Sequence, residues 1–240
     1  MGGVDMTTPN NAFEDGRKVP QIDNGKQPRQ PVNIVHIPQL PSDTPYGNLW
    51  LKGMNIVRRL DRVNLEIARV FASYVHPKSE DSVNPLQDIL EHQFYAEQVV
   101  YWLRKTADEL ISLAYAISEW KNNGEWPSAI KVDSIAGLKH SPPQEVKDLF
   151  APYEGYLFTL NEVANAFKHS FINTDMTVVG AEYPVVYALA LDRNKLSNKP
   201  QFYSVGFAVL VEEFSKLYRP TMQVIQTWAS QAATAKSSAT

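Results

Sequence analysis

The longest uninterrupted helical pattern in the sequence runs from about residue 85 to residue 121. Apolar side chains recur there at three- and four-residue spacing, the period of an amphipathic α-helix. The residues of this apolar stripe are Ile89, Ala96, Val99, Leu103, Ala107, Leu110, Ile111, Ala114 and Ile117. His92 falls within the stripe, and we expect it to be a core histidine with a satisfied hydrogen bond. At 1.5 Å per residue the helix is roughly 50 Å long, so it spans a whole domain and the rest of the chain must pack along it.

Three further stretches have the same period, at about 46–75, 152–173 and 205–229. Between the last two, the period changes to that of a strand, and Val, Tyr and Phe flank the turn-forming DRNKLSNK. This pattern predicts a two-stranded hairpin at about 183–191 and 201–205. The predicted fold is therefore mainly α: a bundle of four or five long helices with a small β-hairpin inserted before the last helix. Because the apolar period continues across Pro220, we expect a kink there and not a break.

The two ends of the chain have a different composition from its middle. Residues 1–43 are rich in Pro, Gly, Asn and Gln, which predicts a disordered leader. Within the leader, 32–40 form an apolar island, which is either a strap against the folded domain or a docking motif. The helical domain is expected to cover 44–231, followed by a disordered tail at 232–240.

Composition excludes several function classes. The 240 residues include no cysteine, and the five histidines form no HxxxH or ExxH pair, so thiol chemistry is excluded and we expect no metal or other cofactor. No glycine-rich phosphate loop and no GxSxG motif is present. The formal charge of −3 provides no overall basic field for nucleic acid. No apolar run approaches the length of a membrane span, and we expect a cytoplasmic protein without a membrane partner.

The stretch 152–173 has an unusual second face. Opposite its apolar stripe lies a polar strip, and two asparagines one turn apart weaken a helix slightly. The residues of the strip are Glu154, Phe158, Asn161, Glu162, Asn165, His169 and Ile172. Either the asparagines hydrogen-bond a neighbouring helix or loop, or the strip forms a polar site at a groove or a dimer interface.

Lys168 and His169 lie at the predicted end of this helix. The helix dipole favours positive charge at that end, which alone explains both residues. Alternatively, a histidine with a pKa near 6.5 serves as general acid or base, and the lysine stabilises a phosphodiester transition state.

The helical layout over about 46–230 and the motif formed by Asn161, Asn165, Lys168 and His169 resemble the HEPN superfamily of all-α proteins. That resemblance implies a module that binds RNA or a protein partner such as a cognate antitoxin, that forms homodimers, and that acts in toxin–antitoxin or phage-defence systems. Active HEPN ribonucleases have an arginine shortly before the histidine. This sequence has none there, and Arg104 of the long helix is the candidate substitute.

Three interpretations of function follow. The first is the HEPN-like binding module. The second is a metal-independent ribonuclease, with His169, Asn165 and Lys168 as catalytic residues and with Asn161, Glu162 and Arg104 as binding residues. The third is a structural or adaptor domain without catalysis.

Overall fold

The computed structural model describes residues 19–25, 38–74, 85–170, 183–191, 194–195 and 197–238, with the backbone alone at 85–89 and 237–238. The elements are α1 (Leu49–Ala72), α2 (Pro85–Asn123), α3 (Gln144–Phe150), α4 (Glu154–His169), β1 (Val185–Ala190), β2 (Gln201–Gly206) and α5 (Phe207–Ser238), with 3₁₀ turns at Ala136–Lys139 and Ala151–Tyr153. This order confirms the predicted mainly α fold with a small hairpin before the last helix. In the part of the chain that is described, no helix combines the length and the apolar character needed to cross a bilayer.

Local chemistry explains where the helices begin and end. The Asn48 side-chain oxygen accepts a hydrogen bond from the Leu51 amide at 2.9 Å, so it caps the start of α1. α2 begins at Pro85, a residue favoured at the first helical position. It ends before Gly124, whose φ of +74° is accessible to glycine at little cost.

α5 continues through Pro220, as the unbroken apolar period predicts. Proline has no amide hydrogen, so Pro220 leaves the carbonyl of Lys216 without its helical donor. The Tyr153 hydroxyl donates a hydrogen bond to that carbonyl at 3.1 Å. A side chain from a neighbouring element therefore replaces the helical hydrogen bond that Pro220 removes.

The two strands form an antiparallel hairpin in which Val185 pairs with Gly206 and Ala190 with Gln201. Side chains alternate between the two faces of such a ribbon. Val186 and Ala188 are buried on one face. Tyr187 and Phe202 lie on the other, where side chains remain accessible.

The chain divides into two compact units, and four of the five divisions fall within the long helices α1, α2, α4 and α5. Unit 1 draws on Met1–Ile22, Arg62–Tyr101 and Val163–Glu212, and unit 2 on Asp23–Asp61, Trp102–Glu162 and Glu213–Thr240. The core of unit 1 includes Val63, Ile67, Val70, Phe71, Ala96, Val99, Val163, Val186, Phe207 and Leu210. The Phe71 and Phe207 rings meet edge to face, with centroids 5.9 Å apart.

Unit 2 has its own core, and a carboxylate secures its short helix α3. The core includes Ile56, Leu60, Leu103, Leu110, Ile111, Ile117, Val146, Leu157, Phe214 and Leu217. Glu145 accepts hydrogen bonds from Ser118, Lys121 and Asn122 of α2. Burial alone would raise the pKa of Glu145, but the three donors outweigh burial and hold its pKa below the usual value.

The prediction of a wholly disordered leader is wrong for residues 19–25 and 38–43. In unit 1, Ile22 is only 2% exposed, and its backbone makes reciprocal hydrogen bonds of 2.8 and 3.0 Å with the Asn64 side-chain amide. In unit 2, Asn24 donates to Asp61 at 2.7 Å, and the buried Leu40 lies against Gly53. The described end of the apolar island is therefore packed like a strap, while 32–37 lie outside the described residues.

The prediction of a disordered tail at 232–240 is also wrong for most of its length, because α5 continues to Ser238. Ala232 is buried, and alanine, the best helix former, recurs in this segment. Residues 239 and 240 lie outside the described part of the chain.

Candidate functional site

Three residues of the predicted site belong to unit 2. The Asn161 amide nitrogen donates to Glu162 at 3.2 Å, and its buried side-chain oxygen has no hydrogen-bond partner among the described residues. Arg104 forms an ion pair of 3.2 Å with Asp108, one turn along α2. Asp108 also accepts the Ile135 amide at 2.9 Å. Arg104 therefore belongs to a cluster that fixes the loop after α2.

The three proposed catalytic residues belong to unit 1. Asn165 is half-buried, whereas Lys168 and His169 are exposed at the end of α4. The His169 carbonyl accepts a hydrogen bond of 2.8 Å from the Asn194 side chain. Within the described residues, neither Lys168 nor His169 has an ion-pair partner. Ile172 of the predicted strip lies outside the described residues.

The Asn194 bond joins the hairpin connection to the end of α4. After Asn194, the Asn198 amide donates to the Lys195 carbonyl at 2.9 Å, which closes a tight turn. Lys195 and Lys199 are exposed at this turn. We call Lys168, His169, Lys195 and Lys199 the basic edge. Lys168 and His169 were already predicted site residues, whereas Lys195 and Lys199 come from the hairpin connection.

An aromatic surface lies on the same hairpin. The Tyr187 and Phe202 rings are stacked, with centroids 5.9 Å apart and an interplanar angle of 14°. Phe202 is 52% exposed, and Tyr183, just before β1, is exposed to a similar extent. We call Tyr183, Tyr187 and Phe202 the aromatic face. In the sequence these residues indicate strands. Tyr183 and Tyr187 also alternate with Val186 and Ala188, which are buried, and that alternation is the signal for an outward aromatic surface.

A third tyrosine, Tyr74, adjoins the aromatic face. The pKa of Tyr74 is raised, first by burial and then by the nearby Tyr187 and Tyr183. Tyr74 also packs against His92, with ring centroids 5.2 Å apart. The His92 Nδ1 lies 3.0 Å from the Val70 carbonyl, and burial lowers the pKa of this histidine. His92 is thus a hydrogen-bonded packing residue, as its place in the apolar stripe predicts.

Two features of the described residues bear on catalysis. No group of three or more metal-ligating side chains occurs among them. A shallow depression of about 520 Å³ on α5 is lined by Thr227, Ser230, Gln231, Thr234 and Ala235. The hydroxyls of Thr227, Ser230 and Thr234 donate to carbonyls of their own helix. This depression therefore presents neither a general base nor an activated nucleophile.

Comparisons with protein-family models, with curated proteins and with solved structures find no match for this chain.

Proposed function

We propose that this chain is a helical module that binds single-stranded RNA through unit 1. The observation that carries the proposal is the bond from Asn194 to the His169 carbonyl. It brings the basic edge together from α4 and the hairpin connection, and the same hairpin presents the aromatic face. Positive side chains that follow a nucleic-acid backbone, beside aromatic rings on which bases stack, are the usual means of binding single strands.

Each part of this surface has a separate role. Lys168, Lys195 and Lys199 are exposed and lack an ion-pair partner among the described residues, so their charge is available to phosphates. The exposed Phe202 ring is supported from behind by Tyr187, so a base can stack on it without rearrangement of the hairpin. The resemblance to HEPN proteins agrees with RNA as the ligand and with a toxin–antitoxin or phage-defence setting.

The geometry favours binding over cleavage. A general acid or base must be held within hydrogen-bond reach of the reacting group, and a third group usually orients it. His169 has no such orienting partner among the described residues, and Arg104 is already paired with Asp108. Metal-independent cleavage by His169, with Asn165 and Lys168, remains the alternative that the experiment must distinguish.

The first test measures RNA affinity against salt. A labelled, unstructured 12-nucleotide RNA is titrated by fluorescence anisotropy at several KCl concentrations. Each phosphate contact contributes about −0.7 to the slope of log K against log salt for single strands. Lys195→Ala with Lys199→Ala should therefore reduce the steepness of that slope by roughly 1.4 and weaken binding. Lys131→Ala with Lys147→Ala is the matched control, because both lysines are exposed and lie in unit 2.

The second test separates base stacking from charge. Phe202→Ala should weaken binding of the single strand by roughly 1–3 kcal/mol and leave the weaker binding of a duplex unchanged. Phe158→Ala, which also removes an exposed ring, should have no effect. Absence of RNA binding, or equal losses in the test and control variants, would contradict the proposal.

Cleavage is followed on the same RNA in the presence of EDTA. Intact RNA after incubation with the wild-type chain agrees with a binding module. Cleavage that His169→Ala abolishes without a change in melting temperature would establish the ribonuclease instead.

A further inference from the structure

Two arginines of α1 share one buried carboxylate. Glu66 is 7% exposed, and its oxygens accept hydrogen bonds from Arg69 at 3.1 and 3.2 Å. The same carboxylate forms an ion pair of 2.7 Å with Arg62. The three residues meet because they lie on neighbouring turns of one helix, with Arg62 before Glu66 and Arg69 after it. We call Arg62, Glu66 and Arg69 the arginine trio.

The arginine trio has charge and hydrogen-bond donors to spare. Two guanidinium groups and one carboxylate leave one net positive charge. Each guanidinium has several N–H donors in a planar fork, and the contacts with Glu66 use only Nη2 of Arg62 and Nη1 of Arg69. The Arg62 and Arg69 side chains are 57% and 40% exposed, so the remaining donors are accessible to a ligand.

The sharing of one carboxylate fixes the two guanidinium groups without neutralising them. Arg59, by contrast, has the Glu109 carboxylate to itself, through bonds of 2.7 and 3.1 Å. Arg69 is held further by the Tyr95 ring of α2, which lies 5.8 Å from its guanidinium carbon. Fixed guanidinium forks with free donors are suited to phosphate groups, which they bind through paired hydrogen bonds.

The arginine trio continues the proposed RNA surface of unit 1. The basic edge lies at the connection between the strands, and Tyr183 lies at the other end of the hairpin, just before β1. Tyr74 is close enough to Tyr183 to interact with it electrostatically, and it follows Arg69 by five residues. It packs on His92, and Arg69 packs over Tyr95, one turn further along α2. A continuous row of rings therefore leads from the aromatic face to the arginine trio.

We propose that the arginine trio is a second phosphate site for the single strand, and that its ligand is one phosphodiester group of RNA. This inference rests on the proposed RNA binding by unit 1. The strand runs from the basic edge, across the aromatic face, to α1. Charge holds it at both ends, and base stacking holds it between them.

Charge balance selects a diester over a terminal phosphate or free phosphate. One phosphodiester carries a single negative charge, which cancels the net positive charge of the arginine trio. A phosphate monoester carries about 1.5 to 2 negative charges at pH 7. Such a group would leave excess negative charge beside the buried Glu66 carboxylate, which is unfavourable in a site of low polarity.

The salt dependence of RNA binding tests the arginine trio. Arg69→Gln leaves a neutral pair of Arg62 and Glu66, so one phosphate contact is lost. The steepness of log K against log salt should fall by roughly 0.7, which lowers the affinity about fivefold at 0.1 M KCl. Arg69→Lys keeps the charge and should keep the slope. Lys52→Gln, on the same helix but in unit 2, is the matched control and should change neither slope nor affinity.

The combined variants show whether the two ends of the surface hold different phosphates. Arg69→Gln should reduce the slope by the same amount in the wild type and in the chain that carries Lys195→Ala with Lys199→Ala. Circular dichroism checks that each variant keeps its melting temperature. Arg62→Gln, which leaves Arg69 paired with Glu66, should repeat the effect of Arg69→Gln and guards against a local change at one position.

The kind of phosphate is tested with two further probes. The same RNA with a 5′-hydroxyl and with a 5′-monophosphate should bind equally, and inorganic phosphate should compete only as far as its ionic strength does. A preference for the 5′-monophosphate that Arg69→Gln removes would overturn the assignment of a diester.

The remaining outcomes separate this inference from the proposed function. If Lys195→Ala with Lys199→Ala reduces the slope but Arg69→Gln and Arg62→Gln do not, the second phosphate site is overturned and the proposed RNA binding stands. An equal loss in Lys52→Gln would also overturn the site, because it would show an effect of overall charge alone. Absence of RNA binding by the wild-type chain would overturn both.

Discussion

The contact between Tyr153 and the helix interrupted by Pro220 makes a quantitative prediction. The Tyr153 hydroxyl donates to the Lys216 carbonyl at 3.1 Å, and that carbonyl lacks a helical donor only because residue 220 is proline. Tyr153→Phe removes the hydroxyl and keeps the ring. A net hydrogen bond contributes about 1 kcal/mol to stability, and this one is exposed. We therefore expect a loss of about 0.5–1 kcal/mol in the free energy of unfolding.

A double-mutant cycle with Pro220→Ala isolates the free energy of the hydrogen bond from Tyr153 to the Lys216 carbonyl. Alanine at 220 restores an amide that can donate to Lys216, so Tyr153→Phe in that background should cost much less. The coupling free energy should be about 0.5 kcal/mol or more, in the range for residues that share a partner. Pro220→Ala also increases the freedom of the unfolded chain, but that effect is common to both arms of the cycle and cancels.

Urea denaturation at 25 °C, followed by circular dichroism, measures all four variants. A change of 1 kcal/mol corresponds to roughly 2–4 °C in melting temperature for a chain of this size, so thermal melts give an independent check. Additive effects within about 0.3 kcal/mol would refute the reasoning, because they would show that Tyr153 does not substitute for the missing amide.

Three further predictions concern stability. Ile22→Ala should lower the free energy of unfolding by about 2 kcal/mol, seen as a lower urea midpoint; an unchanged midpoint would show that the segment 19–25 is not part of the fold. Burial lowers the pKa of His92 in the folded chain, so the unfolded chain binds a proton on His92 more readily. The contribution of His92 to stability is therefore complete above pH 6.5 and is lost as the pH falls toward the folded pKa. His92→Asn, which keeps a donor for the Val70 carbonyl, should therefore flatten the decline in melting temperature between pH 7 and pH 5, and parallel curves would contradict this. Glu145→Gln should cost about 1–3 kcal/mol, because it weakens charge-assisted hydrogen bonds to Ser118, Lys121 and Asn122, and an unchanged melting temperature would exclude that role.

The sequence predicted those features that depend on residues a few positions apart. The core face of α2, the hairpin and the continuation of α5 across Pro220 all follow from local periodicity. Ile22 was missed because its burial depends on the Asn64 amide, 42 residues away, and a single apolar residue in a polar segment gives no periodic signal.

The candidate site shows the same limit. Lys168 and His169 were recognisable on α4, but Lys195 and Lys199 join them only through the bond from Asn194, across 25 residues. Asn161 illustrates the converse. One interpretation of its position was a hydrogen bond to a neighbouring helix or loop. Its side-chain oxygen is instead buried without a hydrogen-bond partner among the described residues. Pattern reasoning identifies unusual residues, whereas their partners are determined by the tertiary fold.

The exposed apolar side chains of α2, Leu90, Phe94 and Tyr101, were not predicted, because an amphipathic helix is expected to have one apolar face. A single apolar stripe through Val99 and Leu103 was interpreted as leaving the opposite side of the helix to water. Leu90 and Phe94 contradict that interpretation, because they are more than half exposed on the side that should face water. Apolar side chains on two opposite faces are typical of a helix packed between two neighbours. Over the second half of α2, Leu113, Ala114, Tyr115, Ala116 and Ile117 are buried one after another, so other elements surround the helix there. Local periodicity does not predict which stretch of a long helix is surrounded, because the surrounding elements come from distant parts of the chain.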